Sequence, residues 1–245
     1  MKISYLVTCS TETDTLRKLL IRLKNDLGND ELIIIIDGSN RETLRIIYDI
    51  EHEHPVTQVE GNTYFSTPKK VSNITSYTHS LNADYGAHKN WGTLQCSGDW
   101  IFQIDGDELP PSNILGENLH AIIESNTEVE LIYVPRINDY KGVTEEHAKQ
   151  WGWRLTNSKP DGIAQGRPLV NVPDYQGRIF KRVPDRIKWD RKLHEKIEGH
   201  TQYSFLPAEE DYAIYHDKTI EKQLETNYRY NKVFTKEDNM GHKVV

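Results

Sequence analysis

The chain has 245 residues, a length that suits one large domain, or one domain with an appendage, and that can bury a sizeable core. Its formal net charge is −7, which argues against an extended basic surface for nucleic acid. No apolar run is long enough to cross a bilayer, and the N-terminus lacks the charged and apolar pattern of a signal peptide. With only two cysteines, the chain is predicted to be a soluble protein of a reducing, cytoplasmic compartment.

The N-terminal part of the chain alternates between strand and helix patterns. Residues 3–9 and 32–36 are apolar runs typical of strands that are covered on both faces. An amphipathic helix is predicted between them, with a capping pattern that starts at Thr11 and a terminating glycine at Gly28. Residues 41–54 have the periodicity of a second helix.

The same alternation continues toward the middle of the chain. Residues 56–59 are predicted as a third strand, and the polar residues 61–82 as a solvated loop. A helix over residues 83–97 then leads into a buried strand over residues 100–104. Strands that alternate with helices predict an α/β fold with a mostly parallel sheet and right-handed connections.

Polar residues follow several of these predicted strands. Ser10 follows the first, Asp37 the second, and the sequence Asp105-Gly106-Asp107 ends the buried strand. In open α/β sheets, ligands bind beyond the carboxyl ends of the strands, so these residues predict a site. Two carboxylates at this spacing suit Mg²⁺ or Mn²⁺, which keeps waters and also binds phosphate. The alternative is an acidic turn, because Asp-Gly pairs commonly form turns.

The second half of the chain has a different character. A helix over residues 114–124 and a strand over 130–135 are followed by a long irregular segment, residues 138–174, which we expect to carry function. Trp151 and Trp153 in this segment could stack on a bound ligand, or could anchor the segment to the core. Near the C-terminus, a short strand over residues 212–215 ends at a histidine, and a helix is predicted over residues 219–234.

Several motifs together resemble family 2-like glycosyltransferases of the GT-A fold. Lys89-Asn90-Trp91-Gly92 matches the basic-Asn-x-Gly helix motif, and it precedes Gly98-Asp99, an apolar strand and the Asp-x-Asp sequence. The first strand and the end of the second, Asp37-Gly38-Ser39, also fit. The resemblance covers the first half well, and the second half only in short patches such as Leu193-His194-Glu195.

The resemblance implies a Rossmann-like GT-A fold with a nucleotide-sugar-binding half, residues 1–135. Residues 136–245 would form a smaller acceptor-side and catalytic half of the same compact domain. The implied activity is that of a metal-dependent, inverting glycosyltransferase, with a UDP-sugar as the favoured donor. No Gln-x-x-Arg-Trp motif of processive polysaccharide synthases occurs, so a single-transfer enzyme is expected.

The resemblance and the chemistry of the side chains assign roles to individual residues. Mn²⁺ or Mg²⁺ is assigned to Asp105, Asp107 and, from its place after the last strand, His216. The residues assigned to the nucleotide-sugar are Thr8, Glu12, Asp37, Lys89, Asp105 and Arg178. Trp151 and Trp153 are assigned to the acceptor, because sugar rings stack on aromatic rings.

Glu195 is the candidate catalytic base, and Glu108 is the second choice. Alternation places Glu195 on an apolar face, where partial burial is expected to raise its pKa. The alternative role for Glu195 is a salt bridge with Arg178 or Arg191.

Other functions stay open at this stage. A sugar nucleotidyltransferase would need a Gly-rich, basic loop after the first strand, which the sequence from Cys9 to Glu12 lacks. A non-catalytic sugar- or nucleic-acid-binding module would not require the acids at Asp105, Asp107 and Glu195. The acceptor is unassigned, and candidates are a glycan, a lipid-linked sugar, a protein side chain and a modified DNA base.

Overall fold

The computed structural model describes residues 1–53, 56–59, 62–65 and 67–238, and it places a mixed sheet between layers of helices. The strands are β1 Ile3–Cys9, β2 Glu31–Ile36, β3 His52–Glu53, β4 Val56–Val59, β5 Asn62–Phe65, β6 Lys69–Lys70, β7 Ile74–Thr78, β8 Trp100–Asp105, β9 Glu108–Leu109, β10 Leu131–Lys141, β11 Leu155–Asn157, β12 Pro168–Lys181, β13 Lys188–Asp190, β14 Lys196–Glu198, β15 Tyr203–Phe205 and β16 Ile214–Thr219. The helices are α1 Asp14–Asn25, α2 Arg41–Glu51, α3 Tyr85–Gln95, α4 Gly116–Glu124, α5 Glu145–Trp151 and α6 Ile220–Val233.

The central sheet has the strand order β7-β2-β1-β8-β12-β10-β16-β9, with β11 beside β12 and β15 beside β10. Strands β7, β2, β1 and β8 are parallel neighbours. Strand β12 then runs antiparallel to both β8 and β10. The parallel half therefore gathers several strand carboxyl ends at one edge, where the fold predicts a ligand site. This architecture confirms the predicted α/β, GT-A-like fold.

Each face of the sheet is covered by its own apolar layer. Helices α1, α2 and α4 pack on one face, around residues such as Tyr5 and Phe102. Helix α3 covers the other face, where Leu6 and Ile35 meet it. A side chain at Gly92 would put its Cβ 3.0 Å from atoms of both Leu6 and Ile35. The glycine of the Lys-Asn-x-Gly motif thus permits the close approach of α3 to the sheet.

The prediction for residues 61–82 was wrong in one respect. Strand β7, which lies inside this predicted loop, pairs in parallel with β2 in the central sheet, whereas the predicted third strand, β4, pairs with β5 in a separate two-stranded sheet. Strand β7 is an edge strand with only Ile74 buried, so its polar sequence hides the strand pattern. His54, the predicted end of the second helix, and Gly61 lie outside the described residues.

The prediction of one irregular segment over residues 138–174 was also wrong. Strand β10 extends into it as far as Lys141, and α5, β11 and the first half of β12 are formed within it. Asp139 is buried there as an ion-pair partner of Arg167, so charged residues occupy positions that a sequence pattern assigns to a loop.

The predicted ends of the first helix differ from those observed. Helix α1 begins after Thr13, whose side chain makes no capping hydrogen bond, rather than after a cap at Thr11. It ends at Asn25 with Asp26 as its C-cap, and Gly28 follows in a left-handed conformation with φ 53°. Gly28 therefore shapes the turn toward β2 rather than the helix end itself.

Candidate functional site

The candidate site lies at the carboxyl ends of the parallel strands. Thr8 of β1 is in register with Asp105 of β8, and its hydroxyl donates to Asp105 Oδ1 at 3.0 Å. Asp37 follows the neighbouring β2, and its Oδ1 accepts from the backbone N–H of Leu81 at 3.0 Å. The structure thus aligns the predicted donor residues along one sheet edge.

The carboxylate of Asp105 is held by cations and amides on both oxygens. Oδ1 accepts from Gln103 Nε2 at 2.8 Å and lies 3.0 Å from Lys89 Nζ, while Oδ2 accepts from Arg178 Nη2 at 2.8 Å. Burial opposes ionisation, but the charges of Arg178 and Lys89 hold the pKa of Asp105 well below its usual range. Asp105 is therefore ionised, and most of its oxygen lone pairs are already used by neighbouring side chains.

The Lys-Asn-x-Gly motif places Lys89 between two carboxylates. Lys89 Nζ is buried, contacts Asp105, and donates to Glu195 Oε1 at 2.6 Å. The next residue, Asn90, bonds both the N–H and the carbonyl of Trp189, at 2.9 and 2.8 Å. This clamp fixes the β13–β14 hairpin, and with it Glu195, against helix α3.

Glu195 lies in the environment that alternation predicts, but its pKa shift is opposite to the prediction. Leu193 and Ile197 are buried, and the Glu195 side chain is 16% exposed. Burial would raise the pKa of Glu195, but the charge of Lys89 outweighs it and lowers the pKa. The salt-bridge partner in the structure is Lys89, whereas Arg178, one of the two predicted partners, binds Asp105 and Glu108.

Asp107 faces His216 across the edge of the sheet. The distance from His216 Nε2 to Asp107 Oδ2 is 3.2 Å, and His216 Nδ1 lies 3.1 Å from Asn138 Oδ1. The amide nitrogen of Asn138 donates to the carbonyl of Val170 and to Asp174, so its oxygen must accept from His216 Nδ1–H. Nε2 of the imidazole is thereby directed at Asp107, the orientation that a metal-binding histidine requires.

Asp107 is the more accessible carboxylate of the Asp-Gly-Asp sequence. Its side chain is 40% exposed, against 29% for Asp105. Burial would raise its pKa, but His216 lowers the pKa of Asp107 to about 2. Asp107 therefore presents an ionised oxygen to solvent.

Gly106 allows the β1 and β8 ends to meet closely. A Cβ at this position would lie 2.8 Å from Cys9 Cβ and 3.4 Å from Glu12 Oε2. Glu12 accepts from the backbone N–H of Ser10 at 2.6 Å, and burial raises its pKa. Glu12 thus lies beside the acidic turn.

Arg136 was missed from the sequence. It binds Glu108, the second candidate base, which is fully buried and also binds Arg178. Arg136 also binds Asp174, at 2.7 Å. The antiparallel pairing of β10 and β12 brings Arg136 and Asp174 together, so no local sequence pattern predicts this ion pair.

Lys218 is a further missed residue. It lies two positions after His216 in β16, so both side chains are on the same face of the strand. Its Nζ donates to Thr226 Oγ1 at 3.2 Å, and within the described chain no carboxylate is in ion-pair contact with it. Burial lowers the pKa of Lys218, while the charge of Asp107 opposes this shift. A partly buried ammonium without a carboxylate partner is suited to an anionic ligand.

The tryptophans predicted for the acceptor are connected to this part of the site. Trp151 packs edge-on against Trp153 with ring centroids 4.6 Å apart, and Trp153 packs on Tyr140 at 5.3 Å. Tyr140 in turn contacts His216 at 5.7 Å. Both tryptophans are half-buried, so they can anchor α5 and still offer part of their rings.

No group of three or more His, Cys, Asp and Glu side chains is arranged to hold a metal ion within the described ranges. Over the same ranges, every helix is too short or too polar to span a bilayer.

A family model described as Glycosyl transferase family 2 matches residues 4–186. A search of curated proteins gave no match.

Similar solved structures include TarS of S. aureus. The TarS 1-349 structure is 14% identical with a TM-score of 0.55, and the match covers 95% of this chain and 64% of that one. TarS 1-349 in complex with UDP-GlcNAc is also 14% identical, with a TM-score of 0.56 and coverages of 89% and 59%. A longer TarS structure, 13% identical with a TM-score of 0.53, is matched over 39% of its length and 95% of this chain. This chain therefore spans less than two thirds of each of these structures, and the likeness concerns the fold.

Proposed function

Because this chain belongs to glycosyltransferase family 2, we propose that it transfers a sugar from a nucleotide-sugar to an acceptor hydroxyl with inversion at the anomeric carbon. The observation that carries the proposal is the convergence of Asp105, Asp107, Lys89 and Glu195 at the end of β8. A UDP-sugar is the favoured donor, since a structural neighbour was solved with UDP-GlcNAc. A cytoplasmic setting, expected from the composition, is part of the same proposal.

Asp107 and His216 fit a divalent cation, Mn²⁺ or Mg²⁺. They offer one carboxylate oxygen and one imidazole nitrogen at a mutual distance of 3.2 Å, and Asn138 orients the imidazole. Such a cation, completed by waters and phosphate oxygens, would supply Lewis-acid stabilisation of the diphosphate leaving group. The oxygens of Asp105 already bind Lys89 and Arg178. Asp105 is therefore better suited to orient these two side chains and to contact the ribose than to bind the metal ion.

The remaining donor contacts are distributed along the sheet edge. Asp37, at the end of β2, is proposed to bind the base or ribose, with Thr8 and Glu12 lining the same pocket. Lys218, on the His216 side, adds a positive charge for the diphosphate.

Glu195 is proposed as the general base. Its carboxylate takes the proton of the acceptor hydroxyl while the acceptor oxygen bonds to the anomeric carbon and the bond to the diphosphate breaks. Lys89 keeps Glu195 ionised, because its charge lowers the pKa of that carboxyl. Trp151 and Trp153 are proposed to contact the acceptor from the His216 side.

A panel of nucleotide-sugars tests the proposal. UDP-, GDP- and TDP-sugars are added to the protein with Mn²⁺, and the melting temperature is measured for each. One nucleotide class should raise the melting temperature in a metal-dependent way, because ligands that bind only the folded state stabilise it. The same class should release nucleoside diphosphate on incubation with the protein. A non-catalytic binding module would give the shift without the release, and no shift with any donor would contradict the proposal.

A further inference from the structure

Four aromatic side chains form a continuous surface on β10, β12 and β15, which we call the aromatic platform: Tyr133, Tyr175, Tyr203 and Phe205. Phe205 stacks on Tyr133, with centroids 4.9 Å apart and planes at 20°. It also packs edge-on against Tyr175 at 4.9 Å and Tyr203 at 5.6 Å. The four rings therefore contact one another rather than the core alone.

The platform is open to solvent although its residues are on strands. Tyr203 and Phe205 are 55% and 53% exposed. The parallel pairing of β10 and β15 places Tyr133 opposite Phe205, and the hydroxyl of Tyr175 donates to the carbonyl of Leu206 at 3.1 Å. Exposed aromatic clusters of this kind mark interaction surfaces, and strand pairing holds this one rigid.

The platform lies on the α3 side of the sheet, as does Glu195, which binds Lys89 of α3. Tyr133 packs against the apolar layer that contains Trp189 and Ile197, and Ile197 lies two residues after Glu195. Tyr175 precedes Arg178, the partner of Asp105, by three residues on β12, which is the immediate neighbour of β8. Adjacent strands are about 5 Å apart, so β15, the third strand from β8, lies roughly 15 Å from it across the sheet.

We propose that the aromatic platform binds the saccharide chain of the acceptor and leads its reacting hydroxyl to Glu195. Flat rings suit the C–H faces of sugars, and tyrosine hydroxyls supply hydrogen-bonding groups beside them. This inference rests on the proposed transferase function, and it assigns an oligosaccharide or glycan as the acceptor.

The test compares a platform variant with a matched control on an array of immobilised mono- and oligosaccharides. Tyr203→Ala/Phe205→Ala removes the two exposed rings of the platform. Leu224→Ala/Tyr228→Ala removes a similarly exposed pair, 44% and 63% exposed, from α6. All proteins carry Mn²⁺ and UDP during the binding measurement, and UDP affinity is measured separately by calorimetry.

The wild type should bind at least one oligosaccharide class more tightly than the matching monosaccharide. The platform variant should lose at least about tenfold of that affinity, while its UDP affinity stays unchanged and the control binds like the wild type. Absence of glycan binding by the wild type, or equal binding by the platform variant, would overturn the inference. So would a wild-type dimer that the platform variant dissociates, which would make the surface a protein interface. Failure of the wild type to bind any nucleoside diphosphate would instead contradict the proposed function.

Discussion

Lys89 is the residue on which the charge balance of the site depends. Its ammonium group is buried between the carboxylates of Asp105 and Glu195, and burial alone would lower its pKa. The two acids reverse this effect and raise the pKa of Lys89, so the cation is retained. A buried cation between two acids keeps both of them ionised, and the proposed role of Glu195 as a base requires an ionised carboxylate.

Replacement of Lys89 should change the pH dependence of the reaction. In Lys89→Met the charge that lowers the Glu195 pKa is absent, so burial raises this pKa above its value in the wild type. The acid limb of the profile of kcat/KM against pH should therefore move to higher pH. Lys196→Met, which removes an exposed lysine adjacent to Glu195, serves as the control. An unchanged acid limb in Lys89→Met would show that Glu195 does not set it.

Glu195→Gln should separate catalysis from donor binding. The amide keeps the shape of the side chain but cannot accept the proton, so transfer should fall by roughly two to four orders of magnitude. UDP affinity, measured by calorimetry, should stay close to that of the wild type. Transfer at the wild-type rate would remove Glu195 as the base, and loss of UDP affinity would give it a donor-site role.

Lys218→Met should weaken binding of the diphosphate specifically. A charge-assisted contact is worth about 1.5–3 kcal/mol, so UDP affinity should fall by roughly ten- to a hundredfold. The affinity for uridine should not change, because the nucleoside lacks the phosphates. Lys222→Met, at an exposed position of α6, is the matched control. Equal losses for UDP and uridine would indicate a structural role for Lys218.

At the scale of elements, Glu31 connects the N-terminal ends of β1 and β2 with the turn that precedes β8, on the side of the sheet away from the candidate site. It accepts from Ser4 Oγ at 2.6 Å, from Lys2 Nζ at 2.7 Å and from the N–H groups of Ser97 and Gly98. Burial would raise the pKa of Glu31, but these donors lower it to about 2. Its stabilising effect is therefore complete above the pKa of the unfolded chain, about 4.3, and is lost as the pH falls toward 2.

Glu31→Gln should accordingly destabilise the fold at pH 7. The loss of charge-assisted hydrogen bonds is expected to cost about 1–3 kcal/mol in the free energy of unfolding, measured with urea. The difference from the wild type should shrink as the pH approaches 2. Glu124→Gln, an exposed substitution on α4, should have no comparable effect. A difference that does not depend on pH would contradict the role of the ionised carboxylate.

The elements that the sequence predicts well are those with a strong apolar pattern. Strands β1, β2 and β8 are buried along nearly their whole length, and α1 has a buried leucine face. Strand β7 was missed because an edge strand buries little. The path from β10 to β12 was missed because ion-paired charged residues, such as the buried Asp139 with its partner Arg167, replace apolar residues there.

The candidate site was predictable only where its residues lie in a short motif or at a strand end. Lys89 and the Asp-Gly-Asp turn are of this kind, and the structure places them in one cluster. Gln103, Arg136 and Asn138 were not predictable, because their partners come from strands that are distant in sequence. The sign of the Glu195 pKa shift depended on the same tertiary contact, with Lys89.

At the scale of the whole molecule, the site lies where the sheet changes from parallel to antiparallel. The parallel half supplies Thr8, Asp37 and Asp105, and the second half supplies Arg178 and His216. The family model ends at residue 186, so His216 and α6 lie beyond the matched region. Of the two residues of the proposed cation site, Asp107 therefore lies within the region that the family model matches, and His216 lies outside it.

The most direct measurement is the calorimetric titration of UDP into the wild type and into Asp107→Asn, each with Mn²⁺ and with EDTA. The wild type should bind UDP more tightly with Mn²⁺, because Asp107 and His216 supply ligands while phosphate oxygens complete the coordination. Asp107→Asn should bind UDP as the wild type does in EDTA and gain nothing from Mn²⁺. UDP binding that is absent from the wild type, or a full Mn²⁺ effect in Asp107→Asn, would contradict a nucleotide-sugar site at the end of β8.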